Sequence, residues 1–407
     1  MRVLSISRVG LMRAVGVLCL AGALLLGVHR ALSEDIFRVK GSVYDDNRDV
    51  FVYVNNVHLE KDLGERLTLS LQQETDAVSS ASIGCTVCHP DGGSATHIGW
   101  NVGGSYSLDP ETNTTVGVSY FGSTEQDYLG NTVSFSAARE FAERNTTLAA
   151  TYSFSYDNPH PHGWEAFADD YAFQGGSIVR RGGSGAPAKK FDQDVKFQFD
   201  GSLIGERVTD ETKTSHRGGL SWTQVLDQKT IAQVNVDATR VSGFQSNAYH
   251  IVPVAGATYL ETHPDARTRR AGVFQLNRAL DARTFLKGSY RLYSDTWGIT
   301  SHTGNGSLGR YFAGKSLLLE AGYRHYTQSA ADFHRVDYEA PQAYMTNDDR
   351  LGAFQSGAFR AKAVYELGSP SALSMLQHLH VDAAYERYVA ENDYQYNLLQ
   401  LGVSGSF

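Results

Sequence analysis

Two cysteines and a histidine occur together in the pentapeptide Cys-Thr-Val-Cys-His at positions 85–89. This C-x-x-C-H spacing is typical of covalent haem attachment, because two thiols add to the haem vinyl groups and the histidine reaches the iron from the same short turn. The alternative is a small disulfide or a pair of idle thiols. The sequence therefore predicts one c-type haem, held by Cys85 and Cys88, with His89 as an axial iron ligand.

The second axial position has several candidates in the sequence. His97 follows the motif most closely, and His160 and His162 lie in a long polar segment. Met345 and Met375 are remote in sequence, which makes ligation by a histidine and a methionine the weaker option. A five-coordinate iron is a further alternative. The predicted metal ligands are therefore His89 and, as the nearest option for the second position, His97.

The remaining composition excludes several function classes. The chain has a formal net charge of -8 and no cluster of basic residues, so a nucleic-acid partner is not expected. It contains no arrangement of serine, histidine and aspartate for hydrolysis, no phosphate-binding glycine loop and no metalloprotease helix. Reduction of peroxide by a five-coordinate haem is a weaker possibility, because no acid–base pair accompanies the motif. The protein is therefore not expected to be an enzyme.

The first residues have the pattern of an export signal. Three arginines precede an apolar run at 14–28, and small residues at 31–33 match the preference of a signal peptidase. The rival interpretation is a transmembrane anchor, but the apolar run is short for a membrane span. The sequence predicts a signal peptide over 1–33. Because the third cysteine, Cys19, lies inside it, Cys85 and Cys88 would be the only cysteines of the mature protein.

The rest of the chain alternates apolar and polar residues in segments of about ten to fourteen residues. From 230 to 241, for example, valines and alanines on one face alternate with Gln233, Asn235 and Asp237 on the other. Soluble strands are usually about five or six residues long, and the alternation here continues to a C-terminal aromatic residue, Phe407. These features predict an all-β fold, a transmembrane antiparallel β-barrel formed by residues 34–407.

The pattern predicts about sixteen strands, and an even number is usual for bacterial single-chain barrels. Their predicted ranges are 36–45, 49–60, 65–77, 97–107, 113–122, 130–142, 145–156, 216–226, 230–241, 268–280, 283–294, 301–313, 316–327, 352–366, 377–389 and 394–407. Tight connections then fall on one side with both termini, which would be the periplasmic side. The long loops 78–96, 157–215, 242–267 and 328–351 fall on the other side, and the haem motif lies in loop 78–96.

Several charged residues are predicted to face the barrel interior: Asp237, Glu320, Arg324, Asp382 and Glu386. A row of such groups could form a proton or ion pathway. A water-filled polar lumen explains the same residues without a pathway, and we favour it.

Three segments resemble an outer-membrane family catalogued as domain of unknown function 3570. They are Asp-Ala-Val-Ser-Ser-Ala-Ser at 76–82, Tyr-Arg-Leu-Tyr-Ser-Asp-Thr-Trp-Gly-Ile at 290–299 with Ser-His-Thr at 301–303, and Tyr-Arg-His-Tyr-Thr-Gln at 323–328 with Ala-Asp-Phe at 331–333. The resemblance covers most of the mature chain and implies a barrel, with no assigned activity. Porin-cytochrome conduits are a looser analogy, because some carry haem N-terminal to the barrel, whereas this motif lies between strands.

Two functions fit the sequence. In the first, the protein transfers electrons across or at the outer membrane of a Gram-negative bacterium, in contact with outer-membrane lipid. One haem cannot bridge a hydrocarbon core about 30 Å thick, so a partner cytochrome or another redox carrier is expected. In the second, the protein is a general or substrate-specific porin without a redox role. Covalently bound haem would separate the two.

Overall fold

The computed structural model shows a closed barrel of antiparallel strands. It describes residues 35–48, 50–79, 94–125, 128–159, 171–174, 177–180, 211–247, 250–255, 257–368 and 377–406. The predicted signal peptide lies outside these residues. So do Phe407, most of the predicted loop 157–215, and the haem motif itself.

Twenty strands are described in all. In chain order they are β1 Ile36–Asp46, β2 Phe51–Leu63, β3 Leu67–Ser79, β4 Ser94–Asp109, β5 Thr114–Thr124, β6 Tyr128–Phe141, β7 Thr146–Pro159, β8 Tyr171–Gln174, β9 Ser177–Arg180, β10 Lys213–Asp227, β11 Thr230–Gly243, β12 Ile251–Val254, β13 Ala257–Leu260, β14 Ala266–Ala279, β15 Thr284–Asp295, β16 Thr300–Phe312, β17 Leu317–Gln328, β18 Phe354–Gly368, β19 Gln377–Ala390 and β20 Gln395–Ser406.

Sixteen of these strands form the barrel, in the order β1–β7, β10, β11 and β14–β20. The first and last strands close it, since β1 pairs with β20 from Ile36 opposite Ser406 to Asp46 opposite Tyr396. Closure satisfies the backbone hydrogen bonds of every strand, which a lipid environment requires. The predicted barrel of about sixteen strands is therefore confirmed, and the ends of the predicted strands differ from the observed ends by at most three residues.

The remaining elements are small. Strands β8 and β9 form one hairpin, and β12 and β13 form another. Two short 3-10 helices cover Ala313–Lys315 and Asp349–Leu351. Among the residues that the structure describes, no helix is long and apolar enough to cross a membrane.

The strands present their large apolar side chains on the outer surface. On β4, Trp100 and Val102 are 52% and 56% exposed, while the alternate residues Asn101 and Gly103 belong to the opposite face, because successive side chains of a strand point to opposite sides. The same alternation exposes Leu286, Leu308 and Leu319 on β15, β16 and β17. In water so extensive an apolar surface would be unfavourable, and a lipid bilayer covers it. The chain is a transmembrane barrel.

The four longest connections between barrel strands all start and end at the same end of the barrel, the loop rim, and the other end is the turn rim. The turn rim contains both ends of the described barrel and the connections at 64–66, 110–113, 142–145, 228–229, 280–283, 313–316 and 369–376. The loop rim is formed by the opposite ends of the strands, among them Asp46, Ser79, Ser94, Gly243 and Ala266, and by the described connections 296–299, 329–353 and 391–394. This segregation follows the predicted topology.

Two parts of the chain at the loop rim fold together into a cap, formed by residues 250–255, 257–263 and 329–351. Val252, Val254, Tyr338 and Met345 share a buried core. Backbone bridges join Val254 to Tyr338 and Thr262 to Met345. The structure thus places Met345, one sequence candidate for an iron ligand, inside a hydrophobic core, where it is 3% exposed.

Candidate functional site

The Cys-Thr-Val-Cys-His segment at 85–89 falls in sequence between two adjacent barrel strands. Strand β3 ends at Ser79 and β4 begins at Ser94, and the two pair continuously from Leu67 opposite Tyr106 to Ser79 opposite Ser94. Both ends of the connection 80–93 are therefore anchored at neighbouring positions of the loop rim. Cys85, Cys88 and His89 lie outside the described residues, as do the more distant candidates His160, His162 and Met375.

His97 is the described histidine closest in sequence to the motif. It lies on β4 directly opposite Asp76 of β3, and it faces the lumen because Trp100 belongs to the alternate, lipid-facing set. Its Nδ1 lies 3.7 Å from Asp76 Oδ2, which is longer than a hydrogen bond. The side chains of His97 and Asp76 are 19% and 29% exposed. His97 is thus within reach of further partners.

A second carboxylate, that of Glu74, lies beside this pair. Glu74 and Asp76 are two residues apart on β3 and share its lumen face. One ligand atom from each of Glu74, Asp76 and His97 lies within 4.8 Å of the others. Asn56 on β2 donates a hydrogen bond from Nδ2 to Glu74 Oε2 at 3.1 Å. The three side chains form a compact group of metal-ligating donors, which we call the wall triad.

The sequence alone indicates His97, but not Glu74 or Asp76, as a site residue. A signal for them was present, because strand alternation places 74 and 76 on one face. The pairing of position 76 with 97 depends on the register between β3 and β4. In the structure β4 begins at Ser94, three residues before the predicted start at 97.

Gly99 adjoins the wall triad on the same face of β4. A Cβ at this position would lie 2.9 Å from the ring of Phe121 and 3.4 Å from Cε1 of His97. The absence of a side chain therefore allows the Phe121 ring of β5 to lie against the wall next to His97. Glycine is required here by this close approach, and not by its backbone angles.

The other side of the lumen is lined by ion pairs. Lys287 Nζ lies 3.0 Å from Glu320 Oε2, and Ser307 donates to Glu320 at 2.7 Å. Arg324 lies 3.7 Å from Glu386 Oε1. These contacts connect the lumen-facing side chains of β15, β16, β17 and β19.

The predicted inward position of Glu320, Arg324 and Glu386 is confirmed. Asp237, also predicted to face inward, lies 3.8 Å from Arg217 of β10. Asp382 belongs to the same lumen-facing set of β19 as Glu386, four residues away.

Opposite charges occupy opposite walls of the barrel. Strand β15 lies eight strands from β3 in either direction round the sixteen-strand ring, so it is diametrically across from the wall triad. It presents Lys287 and Arg291 to the lumen, and Arg291 lies over the Tyr293 ring at 5.1 Å. A dissolved ion inside the lumen would thus meet an acidic wall at β3 and a basic wall at β15.

The cap contains a buried charged group of its own. Glu261 accepts hydrogen bonds from Thr346 and from the backbone N–H of Asn247, the latter at 3.1 Å. His263 Nε2 lies 3.2 Å from Glu261 Oε1. Burial alone would raise the pKa of Glu261, but the contacts with His263 and Thr346 outweigh burial and hold this pKa below its ordinary value. Glu261 is therefore a charged anchor of the cap.

Solved structures share the barrel fold at very low identity. CdiB from Acinetobacter baumannii is 8% identical with a TM-score of 0.50, and the match covers 93% of this chain and 61% of CdiB. The chain thus spans about three fifths of the length of CdiB. A bacterial polysaccharide outer membrane secretin is 8% identical, with a TM-score of 0.49 and coverage of 93% and 100%. OpdL of Pseudomonas aeruginosa is 8% identical, with a TM-score of 0.36 and coverage of 92% and 98%.

No curated protein matches the sequence. A family model does: it is described as a protein of unknown function, DUF3570, and it matches residues 97–406. The match begins at His97, so it includes one member of the wall triad and leaves the haem motif and both carboxylates outside. It covers more than half of the chain, and the protein belongs to the DUF3570 family.

Proposed function

We propose that this protein is an outer-membrane electron-transfer barrel that carries one covalently bound c-type haem. The observation that carries the proposal is the C-x-x-C-H motif at 85–89 in a connection whose two ends leave adjacent strands at the loop rim. A haem attached there lies close to the mouth of the lumen, where soluble partners have access to it.

The motif assigns a role to each of its residues. Cys85 and Cys88 form the two thioether bonds, and His89 binds the iron as the first axial ligand. When bound, the haem accepts and passes on single electrons. His97, the described histidine nearest to the motif, is one candidate for the second axial position, and a five-coordinate iron that leaves His97 free is the alternative. No acid–base pair accompanies these residues in the sequence, so the proposed role is electron transfer and not an enzymatic reaction.

The outer membrane of a Gram-negative bacterium fits this chemistry. The predicted signal peptide directs export, and an outward apolar surface with a polar interior is the pattern of outer-membrane barrels. The hydrocarbon core is about 30 Å thick, so a single haem at one rim needs a partner. A second cytochrome or another small redox carrier that enters the lumen or docks at the turn rim would complete the path.

A channel for small polar solutes is the second candidate function. The observation that favours it is the lining of the lumen, where ion pairs such as Lys287 with Glu320 keep charged side chains on the inner face. If the protein is a channel, the segment with Cys85 and Cys88 has a structural role only. The two functions make opposite predictions about covalent haem.

The test is production of the full chain in a host that matures c-type cytochromes. After denaturing electrophoresis, a haem stain should label the wild-type band, and the variant with Cys85→Ala and Cys88→Ala should give an unlabelled band of a barrel that still folds. Thr86→Ala is the matched control, because it changes a residue between the two cysteines, keeps the C-x-x-C-H spacing and should keep the stain. A folded wild-type barrel without covalent haem would contradict electron transfer and favour the channel.

A further inference from the structure

We propose that Glu74, Asp76 and His97 bind a divalent first-row transition metal ion on the lumen wall, at a site separate from the haem. All three residues belong to the described barrel strands, so the proposal does not depend on the connection 80–93. It also does not depend on the proposed function, because a channel without haem could contain the same site.

The barrel holds the three donors together. Glu74 and Asp76 share the lumen face of β3, and His97 is the direct partner of Asp76 on β4. Strands in a closed barrel are rigidly paired on both sides, so the Cα positions under these side chains are fixed. Asn56, one strand further, orients the Glu74 carboxylate by its hydrogen bond. An outer partner of this kind is characteristic of carboxylates that bind metals.

The electrostatics call for a cation at this position. In the described part of the chain, neither Glu74 nor Asp76 forms an ion pair with a lysine or arginine. Asp76 Oδ1 is inaccessible to solvent and has no hydrogen-bond partner among the described residues. Leaving a shielded carboxylate oxygen without a partner is costly. A metal ion would supply the missing partner and would offset the repulsion between the two carboxylates.

The donor set selects the kind of metal. Calcium and magnesium prefer oxygen ligands alone, whereas an imidazole with carboxylates suits zinc, iron, cobalt or manganese. Atoms bound at about 2.1 Å to one ion lie at most about 4.2 Å apart. In a tetrahedral site the same atoms lie about 3.4 Å apart, and because the donors here lie within 4.8 Å of one another, side-chain movements of about 1 Å bring them to one ion. Three protein ligands leave positions open for water or solute.

A second lumen-facing pair provides an internal comparison. His58 Nε2 lies 3.5 Å from Glu60 Oε2 on β2, next to β3. It offers one histidine and one carboxylate, but no third metal-ligating donor joins it among the described residues. If a histidine near a carboxylate were sufficient, both places would bind metal equally. The proposal requires that only the wall triad does.

The experiment is a calorimetric titration of the full-length protein in detergent with Zn²⁺. We expect one saturable site per chain in the wild type. Asp76→Asn and His97→Gln should each weaken Zn²⁺ binding at least about tenfold, and Glu74→Gln provides a further variant if one of these fails to fold. The control His58→Gln should bind as the wild type does. Zinc is not redox-active, so the readout is independent of the haem.

Three outcomes would overturn the site: no saturable binding in the folded wild type, binding that persists unchanged in all three variants of the triad, or equal loss in His58→Gln. The haem spectrum gives a separate readout. In zinc-loaded protein His97 is occupied by the metal, so His97→Gln should leave the Soret band unchanged. A shift of the Soret band in that variant would assign His97 to the haem iron and contradict its assignment to the metal.

Discussion

His97 and Asp76 are direct partners in the β3–β4 ladder, with 3.7 Å between Nδ1 and Oδ2. The strands that carry them are the same two strands that anchor the connection with the Cys-x-x-Cys-His motif. The wall triad and the strand ends that flank the motif therefore lie in the same part of the barrel, the lumen wall at the loop rim.

Gly99 should be intolerant of a side chain. A Cβ would lie 2.9 Å from the Phe121 ring, so Gly99→Ala should displace the ring and destabilise the barrel by about 1–3 kcal/mol. The change in the free energy of unfolding is measured by titration with urea. The heat-dependent mobility of the barrel in electrophoresis reports the folded fraction. Gly306→Ala is the control, since a Cβ there meets nothing within 4 Å. Equal stability of the two variants would contradict the close packing at Gly99.

The cap should loosen in acid. Glu261 and Asp348 have pKa values below their ordinary range, for Asp348 because the contacts with Arg350 outweigh the opposing effect of burial. A carboxylate with a lowered folded-state pKa stabilises the fold above its unfolded pKa, about 4. This stabilisation is lost as the pH falls through the folded value. The protection factors of cap amides, which correct exchange for its intrinsic pH dependence, should therefore fall below about pH 4 relative to pH 7.

Two comparisons define that experiment. Glu261→Gln should accelerate exchange in the cap at pH 7 and reduce its further change in acid. Amides in the middle of β15 and β16 should stay protected at both pH values. Protection factors of cap amides that stay the same between pH 7 and pH 4 in the wild type would refute the role of these carboxylates.

The basic wall should influence ion passage. Arg291 faces the lumen opposite β3 and forms no ion pair in the described part of the chain. Arg291→Gln removes positive charge from the lumen and should shift the reversal potential in planar bilayers toward greater cation permeability. Arg139→Gln is the matched control, because Arg139 stands over the Phe141 ring on the outward face. Equal reversal potentials for wild type and Arg291→Gln would show that ions do not sample this wall.

The barrel was predictable from the sequence because its signal is local. Alternation over ten or more residues identifies a strand and its lipid face without knowledge of its neighbours, and each predicted segment, such as 230–241, matches an observed strand, here Thr230–Gly243. The cap was not predictable in the same way. Its core joins Val254 to Tyr338, which are far apart in sequence, and its strands of four residues show too little alternation to detect.

The candidate site was only partly predictable for a related reason. The haem motif is a contiguous pattern, and His97 follows it closely. Glu74 and Asp76 become ligand candidates only when β3 and β4 are aligned, because the pairing of Asp76 with His97 depends on the register of the two strands. Sequence alternation gives the face of each residue but not its partner on the next strand.

The most direct test of the account is intact-protein and peptide mass spectrometry of the full chain, produced in a host that matures c-type cytochromes and purified from its membranes. The account predicts one haem per mature chain, recovered after proteolysis on the peptide that contains both Cys85 and Cys88. A folded barrel whose peptide carries free thiols or a disulfide between Cys85 and Cys88, with no haem mass, would contradict it.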